Sequence, residues 1–435
     1  MKAHILAALA LPLLALGACS DDDPRPEALE GKTYSGMTLL SMTYDEAPMS
    51  GKSVALVPDG ENAAMTLYST FDLSQLGDAL KGIPPIEAPG VLPGTPKLQI
   101  KTALSPKGKG YAFSGSGETD YVTYSYSGRV DNSLMEFNFT GVKLKDLRLA
   151  GKVYRPAPLE KNAGVAGWKS SPFHCVWEAE LPPQLEQLLP YPDAAGDLMQ
   201  LLLQLPVIPV YNGTAYMSPA QALASSLQTL AFRDDGCLVA TYLQTANGAA
   251  QFTHAPICML QYVPLGDSMI RLYVNPADVL SVVLLNNTNR DPNIPDHPFG
   301  KVRKFAGAAG ADTARNEELK EYLQQLALKT MLKLSPMLAE GFPMDYRIAA
   351  DDSMQLYLGQ EEMIPVLKDI FEEIVADPKA QALIAALLQQ DPSLAQYLPQ
   401  IKQLLAALPT ILEATTRFEF GLNLIPYTAA NPGAK

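Results

Sequence analysis

Between Tyr34 and Tyr154, short runs of alternating apolar and polar residues are separated by turn signals. Val122, Tyr124, Tyr126 and Val130 share one side of a run, as do Met135, Phe137 and Phe139, with Thr123, Ser125, Glu136 and Asn138 opposite. Successive side chains of a strand point to opposite faces, so this period of two specifies half-buried strands. The pattern predicts strands at 33–43, 52–57, 63–71, 98–104, 110–116, 121–130, 134–140 and 146–154, with turns at Asp59-Gly60, Lys107-Gly108 and Asp131-Asn132. Eight short antiparallel strands leave open edges unless the sheet closes, so residues 32–156 are expected as a closed or nearly closed barrel. The proline-rich stretch Pro84 to Pro96 cannot be central sheet and is expected as a loop over one end.

The beginning of the chain is of a different kind. Lys2 precedes an apolar run from Ile5 to Leu16, too short to cross a bilayer of about 30 Å as a helix, so residues 1–18 read as a removable signal peptide. Leu16-Gly17-Ala18-Cys19 resembles the bacterial lipoprotein box, which implies lipidation of Cys19 as the first residue of the mature chain. Acyl chains contribute roughly 0.8 kcal/mol per buried methylene, so several on one cysteine would hold the protein to a membrane almost permanently. Ser20-Asp21-Asp22-Asp23 resembles the acidic export tag of Bacteroidetes surface lipoproteins, which implies an outer-membrane, cell-surface-exposed location. Residues 19–31 then form a flexible acidic tether with no hydrophobic pattern, reaching at most about 40 Å.

The barrel pattern resembles the calycin-like β-barrel domain of Bacteroidetes lipoproteins, on Tyr34-Ser35-Gly36 and on the paired strand ends Phe113-Ser114-Gly115 and Tyr126-Ser127-Gly128. True lipocalins carry glycine–x–tryptophan in the first strand, whereas the tryptophans here are Trp168 and Trp177. A small eight-stranded barrel can be filled by its own side chains.

Pro156 to Pro172 is loop-like, and a second domain is expected over 173–430. Ser218-Pro219 marks a helix start, and strands are expected at 228–233, 237–244, 252–263 and 269–274. Tyr262 with Asp267-Ser268-Met269, and Tyr346 with Asp352-Ser353-Met354, form an internal echo: hairpin, strand, then helix. Apolar stripes at helical spacing follow, as at Leu404, Leu405, Leu408 and Leu412, then a last strand with Phe418, Phe420, Leu422 and Leu424 on one face. With Phe232-x-x-Asp235-Gly236, this region resembles a C-terminal domain family of the same lipoproteins, which implies no particular activity. The fold class expected is α+β: an N-terminal antiparallel calycin-like β-barrel followed by a mixed antiparallel-sheet and helical domain.

Acidic residues outnumber basic ones 46 to 33, which argues against nucleic acid and anionic membrane surfaces as partners. Cys237 and Cys258 lie symmetrically about Asn247-Gly248, a strong hairpin signal, so a Cys237–Cys258 bridge with Cys175 free is expected. The alternative is three buried thiols. His174 and Cys175 are neighbours on a strand and face opposite ways; His254 and Cys258 stand roughly 13 Å apart, too far for one metal. His297 reads as a surface loop residue. The sequence carries no zinc spacing, phosphate loop or nucleophile elbow, and neither a catalytic residue nor a cofactor is expected.

The function expected is therefore non-catalytic binding at the cell surface, with a glycan, a lipid-like small molecule or an outer-membrane protein as partner. Tyr111, Tyr121 and Tyr154, taken as exposed aromatics at the barrel ends, are the candidate ligand-stacking residues. The alternative is a polysaccharide hydrolase using carboxylates such as Asp234 or Glu361. Both also read as turn or helix-start acids.

Overall fold

The computed structural model describes residues 26–72, 74, 84–161, 168–180, 183, 191–204, 210–211, 216–246, 249–276, 278, 333–378, 381–382 and 398–428. The signal peptide, Cys19 and the start of the tether, Asn247-Gly248 and His297 lie outside the described residues. The first part of the chain runs through β1 (Lys32–Ser35), β2 (Leu40–Tyr44), β3 (Lys52–Asp59), β4 (Asn62–Phe71), β5 (Leu98–Ala103), β6 (Gly110–Glu118), β7 (Val122–Val130) and β8 (Met135–Leu144). These strands form two sheets, ordered β1-β3-β4-β5 and β2-β8-β7-β6. All pairings are antiparallel except that β2 runs parallel to β8.

The strand expected over 33–43 is broken, because Gly36 takes φ +68° and residues 36–39 make one helical turn. A glycine meets that left-handed backbone at little cost. The turn carries the chain from one sheet to the other, and among the described residues no ladder joins the two. Their apolar faces meet instead. Val54, Leu56, Met65 and Leu67 from one sheet and Met42, Tyr44, Phe113, Phe137 and Phe139 from the other belong to one buried cluster. The proline-rich loop is pinned from below: buried Lys52 donates through Nζ to the carbonyls of Pro89 (2.8 Å) and Gly90 (3.1 Å). Burial pushes the pKa of that ammonium down to about 8, with Asp278 opposing the change.

The expected closing strand, 146–154, does not form in this part of the molecule. Asp146 accepts from the backbone N–H of Arg148 at 3.1 Å, turning the chain, and the strand that follows is β9 (Val153–Pro156). It joins a large antiparallel sheet with β10 (Phe173–Ala179), β11 (Leu227–Phe232), β12 (Leu238–Ala246), β13 (Ala249–His254), β14 (Leu260–Leu265), β15 (Met269–Val274), β16 (Phe342–Ile348), β17 (Met354–Leu358) and β18 (Thr415–Pro426). The order is β13-β12-β11-β9-β18-β17-β16-β15-β14, with β10 also on β18. This sheet curls until its far strand meets its near one. Cys237 bridges Gln261, and the N–H of Tyr262 donates to Gly236 at 2.8 Å.

Register explains the core. Ala240, Leu230, Tyr154, Leu424, Met354, Tyr346, Ile270 and Tyr262 share the concave face, and all are buried in the same cluster as the first two sheets. The buried phenol of Tyr44 crosses between the parts, donating to the Asp235 carbonyl at 2.7 Å. Helices α1 (Ala194–Gln204), α3 (Gln360–Ala376) and α4 (Leu398–Glu413) lie toward the other end of β18, and α2 (Pro219–Ser226) leads into β11. Ser218 caps α2, its hydroxyl accepting from Gln221 N at 3.1 Å while the Gln221 side chain accepts from Ser218 N at 2.9 Å. A second apolar cluster, with Trp177, Leu408, Ile411, Leu412 and Phe418, holds α1 and α4 against β10 and β18. The architecture is thus mostly antiparallel sheet with a few helices, consistent with α+β.

Candidate functional site

Strand β18 has two unlike faces. Phe418, Phe420, Leu422 and Leu424 point to the apolar side, whereas Arg417, Glu419, Gly421 and Asn423 alternate with them. The register brings polar residues of three other strands beside that second set: Glu178 opposite Arg417 and His174 opposite Gly421 from β10, Gln355 and Tyr357 from β17, and through these Arg347 and Asp345 from β16. A strand buried on one face against the core here carries ionisable groups on the other.

At the centre is Glu419, whose side chain is only 7 % exposed. One carboxylate oxygen lies 2.7 Å from His174 Nε2. The other accepts from Arg417 Nε (3.0 Å), from Arg417 Nη2 (2.9 Å) and from Arg347 Nη2. Burial alone would raise the pKa of this carboxyl, but the hydrogen bonds from Arg347, His174 and Arg417 outweigh it and hold the pKa at about 2. Arg417 also pairs with Glu178 at 3.1 Å. The Arg347 guanidinium sits 4.7 Å from the ring centre of Tyr357, and the His174 and Tyr357 rings are 5.1 Å apart. Gly421 stands between those two rings in the register, and a Cβ there would lie 2.0 Å from the Leu356 carbonyl oxygen. Only glycine lets β18 and β17 approach this closely.

Next to this cluster a groove of 590 Å³ opens. Its cause is topological. Leu424–Pro426 of β18 pair with β9, whereas Thr415–Leu422 pair with β10, so β18 changes neighbours at Asn423. Asn423 bridges the gap, donating through Nδ2 to the carbonyls of Ser171 (3.1 Å) and Phe173 (2.9 Å) and accepting from Ala157 N at 2.8 Å. Asn423, Gln355, Gln200, Ser170, Phe173 and Arg347 are among the residues lining the groove. The volume lies within the range of small-molecule sites.

The residues singled out from sequence fall in several places. Tyr154 is not an exposed aromatic: it is 2 % exposed, its ring set edge-on to Phe232 at 6.0 Å in the shared core. It is buried because β9 belongs to the curled sheet rather than to the rim of a barrel. Tyr111 and Tyr121 are half-buried against the same core and lie outside the groove. Cys237 and Cys258 form a disulfide across 5.0 Å between Cα atoms, and Cys175 is free and buried. The strand expected over 252–263 ends at His254 and turns at 255–259, with Cys258 at φ +59°.

Asp234 is exposed in the turn before Asp235, and Glu361 is exposed in the first turn of α3; neither lines the groove. His254 is exposed beside Thr241. His174 and Cys175 do face opposite ways, the first toward Glu419 and the second toward the Gly196 carbonyl. Among the described residues no group of three or more His, Cys, Asp or Glu side chains stands together as metal ligands. Sequence reasoning missed the Glu419 cluster. The alternation of Arg417, Glu419 and Asn423 with aromatic and aliphatic residues was its visible trace. No family model, no curated protein and no solved structure matches the chain.

Proposed function

We propose that this chain is a lipid-anchored, cell-surface-exposed protein of the outer membrane whose groove beside Asn423 binds a saccharide. The anchor is the acylated Cys19, inferred from the lipoprotein box and the acidic run after it. The tether expected over 19–31 is shorter than that, because Ala28 and Glu30 are hydrogen-bonded to Asn132 and Leu29 packs against the core. On the same reading the β1–β8 unit corresponds to the calycin-like domain of Bacteroidetes surface lipoproteins, with two sheets packed face to face over a core filled by side chains.

The observation that carries the binding role is the lining of the groove. Gln200, Gln355 and Asn423 supply amides, and Ser170, Ser171 and Ser353 supply hydroxyls. Amides and hydroxyls exchange hydrogen bonds with sugar hydroxyls. Asp234 and Glu361, the carboxylates that a hydrolase would use, stand outside this groove, which favours binding over hydrolysis.

A glycan and lipid screen on the mature protein tests the proposal, repeated on Gln355→Ala and Gln200→Ala. Saccharide binding that both substitutions weaken supports it. Binding to lipid alone, or saccharide binding untouched by either substitution, contradicts it.

A further inference from the structure

We infer that the saccharide carries a carboxylate and that Arg347 receives it. The inference rests on the groove being a saccharide site and adds the charge class of its ligand. The ionisable residues lining the groove are Lys169 and Arg347, both cations, in a chain whose net charge is −13. Lys169 is 70 % exposed and paired with Glu160 at 3.1 Å on the surface. Such a pair contributes little and exchanges readily with solvent or ligand.

Arg347 is different in kind. Its guanidinium is held from behind by Glu419 and rests over the Tyr357 ring, yet its side chain is 46 % exposed. A planar fork with five N–H donors, already oriented by two contacts, loses little freedom on meeting a planar carboxylate.

Local charge points the same way. The single carboxylate of Glu419 faces two guanidiniums, and Arg417 has Glu178 as a further partner. The remaining carboxyl near Arg347 is Asp345, opposite Tyr357 on β16, and burial raises its pKa, with Arg347 opposing and Glu419 reinforcing the change. Arg347 therefore shares its one bound carboxylate with Arg417 and keeps an exposed, groove-lining side chain.

The test measures binding of tri-galacturonic acid and of neutral galactotriose to the mature protein by calorimetry, at low and at high sodium chloride. The acidic trisaccharide is expected to bind about tenfold tighter at low salt, with the advantage shrinking as salt rises. Arg347→Gln removes the preference, and Arg347→Lys, which keeps the charge without the fork, restores only part of it. Circular dichroism and the melting temperature verify that both variants fold. Equal affinities in the wild type, or a preference that survives Arg347→Gln, overturn the inference while leaving the groove a saccharide site. Binding of neither trisaccharide overturns both.

Discussion

Replacing Glu419 by glutamine isolates the contribution of one buried charge to the whole fold. In the folded protein the pKa of its carboxyl is held at about 2, against 4.5 for an unperturbed glutamate. A tenfold change in a proton-binding constant corresponds to about 1.4 kcal/mol, so a depression of this size corresponds to about 3 kcal/mol. Arg347 and Arg417 are each nearly half exposed, with side chains 46 % and 45 % accessible, and water screens part of the attraction. The net contribution at neutral pH is then about 2 kcal/mol.

The direction with pH follows from the depression. The stabilisation is complete above about 4.5 and is lost as pH falls toward about 2, because only the unfolded chain takes up the proton in that window. Urea unfolding of the wild type and of Glu419→Gln at pH 7 and again near pH 2.5 gives a double difference. At pH 7 the variant should be about 2 kcal/mol less stable, and at the lower pH the gap should narrow by most of that amount. A variant as stable as the wild type at pH 7, or a gap independent of pH, refutes the reasoning that this carboxylate holds the two arginines.

Other consequences are as direct. The Cys237–Cys258 disulfide spans 21 residues and joins the two ends of the curl, so replacing both cysteines by serine should cost about 3 kcal/mol, read as a lower urea midpoint. Gly421→Ala drives a methyl into the Leu356 carbonyl and should cost at least about 2 kcal/mol, read as a fall in melting temperature with a matching loss of saccharide binding. Ser218→Ala removes the cap of α2 and should cost about 1 kcal/mol without altering binding. Mass spectrometry of native material should find acylated Cys19 at the amino terminus, and protease added to intact cells should remove the protein; an unmodified terminus contradicts the anchor.

Much of the strand content was legible because alternation is local. The pattern Phe418, Phe420, Leu422, Leu424 located β18. The bridge expected between Cys237 and Cys258 is present, but not as a hairpin pair, because the β12–β13 ladder stops at Thr241 and His254 and Cys237 pairs in the backbone with Gln261. Helix α2 was legible from Ser218-Pro219, since a cap acts over three residues. What escaped the sequence depends on contacts between distant segments. Tyr154 reads as a rim tyrosine until the turn at Asp146 sends β9 into another sheet, where the side chain is buried.

The site was harder still to foresee. His174 and Glu419 are 245 positions apart, and Arg347 is 72 positions from Glu419. No spacing rule connects them. They meet because β10 and β17 flank β18, with β16 beyond β17, a strand order that alternation cannot supply. The groove has the same origin. It exists because β18 changes neighbours at Asn423, which is a property of topology rather than of any motif.

The most direct measurement is a crystal structure of the mature chain soaked with the saccharide that binds it best in solution. The sugar is expected in the groove lined by Asn423 and Gln355, with its acidic group on Arg347. Density for the sugar anywhere else on the molecule, with this groove holding only solvent, contradicts the assignment.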